Sequence, residues 1–254
     1  MNDAAHYGRK YFSAEIFETD YRPLAEAVYT NYRPKTLLDV GCGPGKLSLE
    51  FANLGLEVTA IDGFSIPDFK SQPIAFQQVD LNDCEALLRV IGAKRYDVAV
   101  CLEVAEHLDP AVSIPLIEAL TVAAPVVVFS AAVLDQEGHG HINLRPREFW
   151  HREFAKRSFV CADRIRPMIR GNNEVARWYQ HNVLDYVFAE HPFAPDLKDV
   201  IDRLIAAESF ATSSLFKASS TLNTALGRLE TCPVNWAVSV RNLLRKAVKG
   251  PWRG

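Results

Sequence analysis

Apolar positions along this chain gather into short runs, and the segments between them repeat apolar side chains three and four residues apart. Residues 21–32 (YRPLAEAVYTNY) show that helical period. The run 36–40 (TLLDV) predicts a strand that enters a glycine-rich turn, Gly41 to Gly45, and then a helix over 46–54. Further strands are predicted at 57–61, 75–79, 96–102 and 125–133, with helices at 84–91 and 114–121. Near-continuous apolar strands alternating with amphipathic helices are what a parallel sheet covered on both faces requires, so the fold class is α/β.

Past the fifth strand the period is lost. Residues 134–144 (LDQEGHGHINL) form a loop rich in Gly, His and Asn, placed where it would overhang the carboxyl edge of the sheet. Residues 147–158 return to helical spacing with Phe149, Trp150 and Phe154 inward, and 159–169 and 182–189 are expected to close the sheet as strands. From about Pro195 the pattern is helical, broken by a Ser/Thr-rich stretch at 211–224. The expected organisation is an N-terminal helical cover over 1–35, a sheet-bearing domain over 36–190 and a C-terminal helical extension over 191–254.

The turn carries the most chemistry. LLDVGCGPG runs a strand through Asp39 into Gly-x-Gly-x-Gly, which lets the backbone reverse tightly and approach a ligand at the switch point of an open sheet. A dinucleotide site would read G-x-G-x-x-G. Here the third glycine comes one residue early, Pro44 sits inside the turn, and Asp39 stands where it would repel a phosphate. A cationic ligand without phosphate fits better. At the tip of the next strand Asp62 can accept both hydroxyls of a ribose, and Asp80 with Leu81 offers an acceptor for an adenine amine beside an apolar wall.

Taken in order, these residues resemble the class I S-adenosylmethionine-dependent methyltransferases over roughly residues 36–133. LLDVGCGPG is similar to that family's first motif, VTAID to its second, QVDL to its third and DVAVCLEVAEHL to its fourth. The resemblance implies a Rossmann-like sheet with helices on both faces and S-adenosyl-L-methionine as cofactor. It would place Asp39 near the methionine amino end, and Gly41, Cys42, Gly43 and Gly45 under the methionine and ribose. Asp62 would hold the ribose, Asp80 and Leu81 would lie near adenine, and Leu102 and Glu103 would line the methyl-donor pocket. FSAAVLDQEGHGHINLRPREFW, with RPMI and VARWYQHN after it, is similar to a group of bacterial methyltransferases associated with glycan or secondary-metabolite pathways.

Methyl transfer from a sulfonium is an in-line displacement, so the protein must position donor and acceptor and take a proton from the acceptor. His141 is the expected general base and His139 the second choice; the competing reading has both imidazoles capping or orienting the turn. Asp135, Glu137, His139 and His141 alternate carboxylate and imidazole, but alternation on a loop is not ligand geometry, and no metal is expected. His107 is expected to cap the helix after the fourth strand. Asn143, Arg145, Arg166 and Arg170 are expected around the acceptor, the guanidinium groups facing a carboxylate or phosphate. Trp178 and Tyr179 would wall the same site; ordinary surface arginines and core aromatics are the other reading.

Charge and composition narrow the partners. With 28 basic and 31 acidic residues the net charge is −3, which gives no global basic field. The fourth strand ends in Cys101-Leu102-Glu103-Val104 and lacks the N/D-P-P-Y/F pattern of enzymes that methylate base amines, so no nucleic acid is expected. The 5 cysteines contain no C-x-x-C pair and read as reduced thiols. No apolar run approaches the roughly 20 residues needed to span a bilayer, so a cytoplasmic protein is expected. Residues 235–253 set Arg241, Arg245, Lys246, Lys249 and Arg253 against an apolar stripe, either docked on the same chain or in peripheral contact with an anionic inner membrane. The expected reaction is methyl transfer to a hydroxyl of a small molecule or saccharide. N- or carboxyl-methylation and a non-catalytic cofactor-binding scaffold are the alternatives.

Overall fold

The computed structural model describes residues 19–64, 69, 73–92, 94–136 and 138–196. The expectations for the first part of the N-terminal cover, for Glu137, for the Ser/Thr-rich stretch and for the basic 235–253 segment lie outside the described residues.

Helix α1 (Arg22–Tyr32) leads into β1 (Thr36–Val40), α2 (Lys46–Asn53), β2 (Glu57–Asp62), β3 (Ile74–Gln78), α3 (Cys84–Gly92) and β4 (Val98–Leu102). Then follow α4 (Ser113–Ala123), β5 (Val126–Ser130), α5 (Arg147–Ala155), β6 (Phe159–Cys161), α6 (Ile165–Ile169), α7 (Arg177–Asn182) and β7 (Leu184–Phe188). The strands form one seven-stranded sheet in the order β3-β2-β1-β4-β5-β7-β6. Parallel pairing of β1 with β2 and β4, and of β4 with β5, brings their carboxyl ends to one edge. The chain leaves β1 toward β2 on one side and comes back to β4 on the other, and this reversal opens a crevice beyond the strand ends.

Successive residues of β1 serve opposite faces. Leu37 packs with Phe51, Val58 and Val98, while Leu38 and Val40 join Ala99, Leu116 and Leu120. Burial on both faces explains why these strands read as apolar runs without alternation. Each fully buried Leu or Val contributes about 1.5–3 kcal/mol, so the strand tips rest on a stiff frame. Among the described residues no helix is long and apolar enough to cross a membrane.

Two expectations need correction. The sheet is parallel only as far as β5, because β7 runs antiparallel to both β5 and β6. Residues 159–169 are not one strand: β6 stops at Cys161 and the chain turns into α6. The cause is Asp185 on β7, fully buried, whose carboxylate accepts the N–H of Arg164 at 2.8 Å and of Ile165 at 3.2 Å and so starts the helix. The Tyr32 hydroxyl donates to the same carboxylate, which fixes α1 against α6 and β7.

Candidate active site

The glycine turn is shaped by backbone that few other residues adopt. Gly41, Gly43 and Gly45 have φ of 76°, 52° and 78°. At Gly45 a side chain is excluded twice, by that φ and by the Phe69 ring, whose Cζ would lie 2.1 Å from an added Cβ. The N–H of Gly43 donates to Asp62 Oδ2 at 2.8 Å, and Phe64 N–H to Oδ1 at 2.9 Å, so the carboxylate at the tip of β2 braces the turn. Asp39 is buried at 4% exposure and accepts the Ser48 hydroxyl at 2.5 Å. Burial, aided by the Asp62 charge and opposed by the Ser48 bond, pushes its pKa up to about 7.

Beyond this turn lies a cavity of about 270 Å³, walled on one side by Asp39, Gly41, Cys42 and Gly43 and on the other by Leu102, Glu103 and the 136–141 loop. Tyr21, Trp178 and Tyr179 close it laterally. Glu103, at the end of β4, sits at φ 54°, a strained backbone for a non-glycine residue. Its N–H is held by the carbonyl of Ser130 at 3.0 Å and by the Ser130 hydroxyl at 3.1 Å. β5 ends at Ser130, short of the expected Val133.

Three residues later the chain buries Glu106 completely. Its Oε1 accepts the N–H of Ala132 at 3.1 Å, whereas Oε2 is buried with no hydrogen-bond partner among the described residues. Burial and then the neighbouring Glu103 charge hold the Glu106 carboxyl well above the usual carboxylate range. The Glu103 carboxyl is likewise raised by burial, against opposing bonds from Ser130 and Asn182. The Glu106 carbonyl accepts Ile142 N–H at 2.9 Å and Asn143 N–H at 3.0 Å, which straps the histidine loop onto the β4 tip. His107 Nδ1 faces the Gly140 carbonyl at 3.2 Å, and His141 Nδ1 faces the Gln136 carbonyl at 3.0 Å. A carbonyl can only accept, so each Nδ1 carries a proton, and in the neutral form of either ring the lone pair is on Nε2. The rings stand edge to face with centroids 5.0 Å apart, and burial, with the nearby His141, lowers the His107 pKa to about 4. One ligand atom each from Glu106, His107 and His141 falls within a 4.8 Å spread, a grouping that could hold a metal ion.

The expected site residues divide into three sets. Asp39, Gly41, Cys42, Gly43, Leu102, Glu103, His139, His141, Trp178 and Tyr179 meet at the cavity. Gly45 and Asp62 shape the turn just behind it, whereas Asp80 is exposed with its carboxylate accepting Asn82 N–H at 2.9 Å, and Leu81 is in the core. The acceptor-side set is displaced. Asn143 is buried, its amide donating to Ala105 O at 3.0 Å and Ser113 Oγ at 2.8 Å, and its oxygen taking Arg145 Nε at 2.9 Å. Arg145 lies over the Phe149 ring, Arg166 pairs with Asp163 at 2.5 Å, and Arg170 follows α6; none of them faces the cavity.

One further correction concerns His107. His107 caps no helix; it sits in the one-turn 3-10 segment Ala105–His107 and lines the cavity. A ligand-like cluster also exists, drawn from two segments, where the sequence reading tested one loop alone. Tyr21, Gln136 and Lys46 join the wall unforeseen. The signal for the cluster was Glu103-Val-Ala-Glu106-His107 at a strand tip, acids and imidazole three and four apart.

Comparison with known proteins agrees with this layout. Residues 9–125 match the family model of a methyltransferase domain. The chain is similar to the ubiquinone biosynthesis O-methyltransferase of Psychrobacter cryohalolentis, 29% identical over 170 residues, which are 63% of this chain and 59% of that protein. It is also similar to the ubiquinone biosynthesis O-methyltransferase of Rickettsia typhi, 36% identical over 84 residues, covering 32% of this chain and 34% of the relative. The chain thus spans between 34% and 59% of the length of these curated relatives.

Among solved structures it is similar to the 1,6-didemethyltoxoflavin-N1-methyltransferase of Burkholderia thailandensis with bound 1,6-didemethyltoxoflavin and S-adenosylhomocysteine. Identity there is 16% and the TM-score 0.52, over 72% of this chain and 82% of that one. An amino pentose methyltransferase of Micromonospora echinaspora, bound to S-adenosylmethionine, matches at 13% identity and a TM-score of 0.51, over 66% of this chain and 90% of that one. Residues 9–125 thus match a methyltransferase domain, and the α/β fold is that of the solved methyltransferases it resembles.

Proposed function

We propose that the chain is an S-adenosyl-L-methionine-dependent methyltransferase that methylates a hydroxyl of a small-molecule or saccharide acceptor, with His141 as general base. The observation that carries this reading is the meeting of the histidine loop with the acidic tip of β4 at one cavity, opposite the glycine turn. In the step proposed, the acceptor oxygen attacks the sulfonium methyl, a C–O bond forms as the C–S bond breaks, and the hydroxyl proton passes to His141 Nε2. The thioether S-adenosylhomocysteine leaves. The O-methyltransferase names of the curated relatives support oxygen over nitrogen. The division into cover, sheet domain and C-terminal extension belongs to the same reading.

Turnover with tritiated cofactor and a panel of phenols, sugars and amines tests it. His141→Ala is expected to lower kcat by about 10²–10⁴ at saturating acceptor. Near-normal turnover would remove His141 as base, and cofactor binding without transfer to any acceptor would favour the scaffold alternative.

The unpartnered Glu106 Oε2 favours a second reading, in which Glu106, His107 and His141, with Glu103 beside them, hold a divalent cation. A mixed set of carboxylate oxygens and imidazole nitrogens suits such ions, and a cation there would make the acceptor hydroxyl acidic without a protein base. Chelation separates the two. If His141 is the base, dialysis against a chelator leaves turnover intact; if it is a ligand, activity disappears and returns with added magnesium, manganese or zinc.

A further inference from the structure

The wall that closes the cavity laterally is aromatic, and two distant segments build it. Tyr21 comes from the N-terminal end of α1, and Trp178 and Tyr179 come from α7. The Tyr21 and Tyr179 rings meet edge to face with centroids 5.8 Å apart, and the Trp178 and Tyr179 rings lie 6.0 Å apart at 55°. Tyr21 is close enough to Asp39, and Tyr179 to Glu103, for each acid's charge to help hold the phenol protonated; burial is the larger cause at both rings. The aromatic wall shares the cavity with the buried Asp39 carboxyl and the half-buried Glu103.

Among the described residues, neither acid is paired with a lysine or arginine. Asp39 accepts the Ser48 hydroxyl, and Glu103 accepts the Asn182 amide at 3.3 Å besides its bond from Ser130. Lys46, also in the cavity wall, is exposed and engaged in an interaction of its own, and His141 is the imidazole whose charge Glu103 would feel. Aromatic rings beside acids suit a cation that has no N–H to give. A sulfonium is such a cation, held by the electron-rich ring faces and by Coulomb attraction, with no hydrogen bond of its own to satisfy.

We propose that Tyr21, Trp178 and Tyr179 form a cage that recognises the positive sulfonium of S-adenosylmethionine and discriminates against the neutral thioether of S-adenosylhomocysteine. This rests on the cofactor assigned above. The consequence is kinetic. Methyl transfer removes the sulfur's positive charge, so the same wall that holds the substrate form of the cofactor loses its attraction for the product form, and product inhibition is relieved.

Titration calorimetry of the full chain with S-adenosylmethionine and S-adenosylhomocysteine tests the cage without needing the acceptor. Tyr21→Leu and Trp178→Leu are each expected to lower the ratio Kd(S-adenosylhomocysteine)/Kd(S-adenosylmethionine) by about tenfold. The change should fall on the sulfonium ligand, with the thioether Kd moved by less than about twofold. Tyr21→Phe keeps the ring and should keep the ratio. Equal weakening of both ligands in the leucine variants, as a merely structural role would give, overturns the proposal. If the wild-type chain binds neither ligand, the cofactor assignment fails first and the cage with it. Trp178, half-buried, supplies the variant least able to disturb folding should Tyr21→Leu prove unstable.

Discussion

Asp39 and Glu106 are buried acids with no lysine or arginine partner among the described residues, and their chemistry sets the character of the site. For Asp39 the consequence reaches stability. An unfolded aspartate ionises near its ordinary 3.8, while the folded one holds its proton up to about 7. Between those values the native state binds more protons than the unfolded chain, so stability falls as pH rises through the window and the loss is complete above about 7. Asp39→Asn removes the ionisation and can still accept the Ser48 hydroxyl. In thermal melts of cofactor-free protein its Tm gain over wild type should therefore be larger at pH 8 than at pH 5; an equal gain at both would contradict the assignment. Asp39 was legible because the resemblance and the turn both pointed to it. Asn143 was not: an amide in a polar loop looks free in sequence, and only the fold reveals Ala105 and Ser113 waiting for its donors.

The loop of residues 134–143 carries the proposed base, and it is positioned by atoms outside itself. The Glu106 carbonyl anchors its end, and Asn182, at the end of α7, donates to Gln136 Oε1 at 3.0 Å near its start. Gly138 gives the His141 ring its room, since an added Cβ would lie 2.1 Å from Cε1. Gly138→Ala should therefore displace the imidazole, lowering kcat by about tenfold or more while leaving cofactor Kd within about twofold. Unchanged kcat would mean that the ring's placement does not matter. At this scale the strands were legible because burial on both faces leaves continuous apolar runs. The 159–169 segment was not, because the group that ends its strand, Asp185, lies on another strand. In the cluster of Glu106, His107 and His141 the first two are neighbours in sequence, but His141 escaped for the same reason: the pairing of β4 with β5 brings its loop to them.

Across the whole molecule, the sheet order puts the glycine turn, the acidic β4 tip and the histidine loop on one edge, with the aromatic wall beside them. The βαβ alternation made that edge predictable from sequence, while the reversal at β7, which carries the chain from α7 into the sheet, has no local signature. The central claim is that this edge binds S-adenosylmethionine with its reactive sulfur toward the Glu103, Glu106 and His141 groups. A crystal structure of the full chain with S-adenosylhomocysteine tests it most directly. The account predicts the methionine portion over Gly41 to Gly43 beside Asp39, with the sulfur against Tyr21 and Trp178 and turned toward His141. Ligand density elsewhere on the protein, or sulfur directed away from the histidine loop, would contradict it.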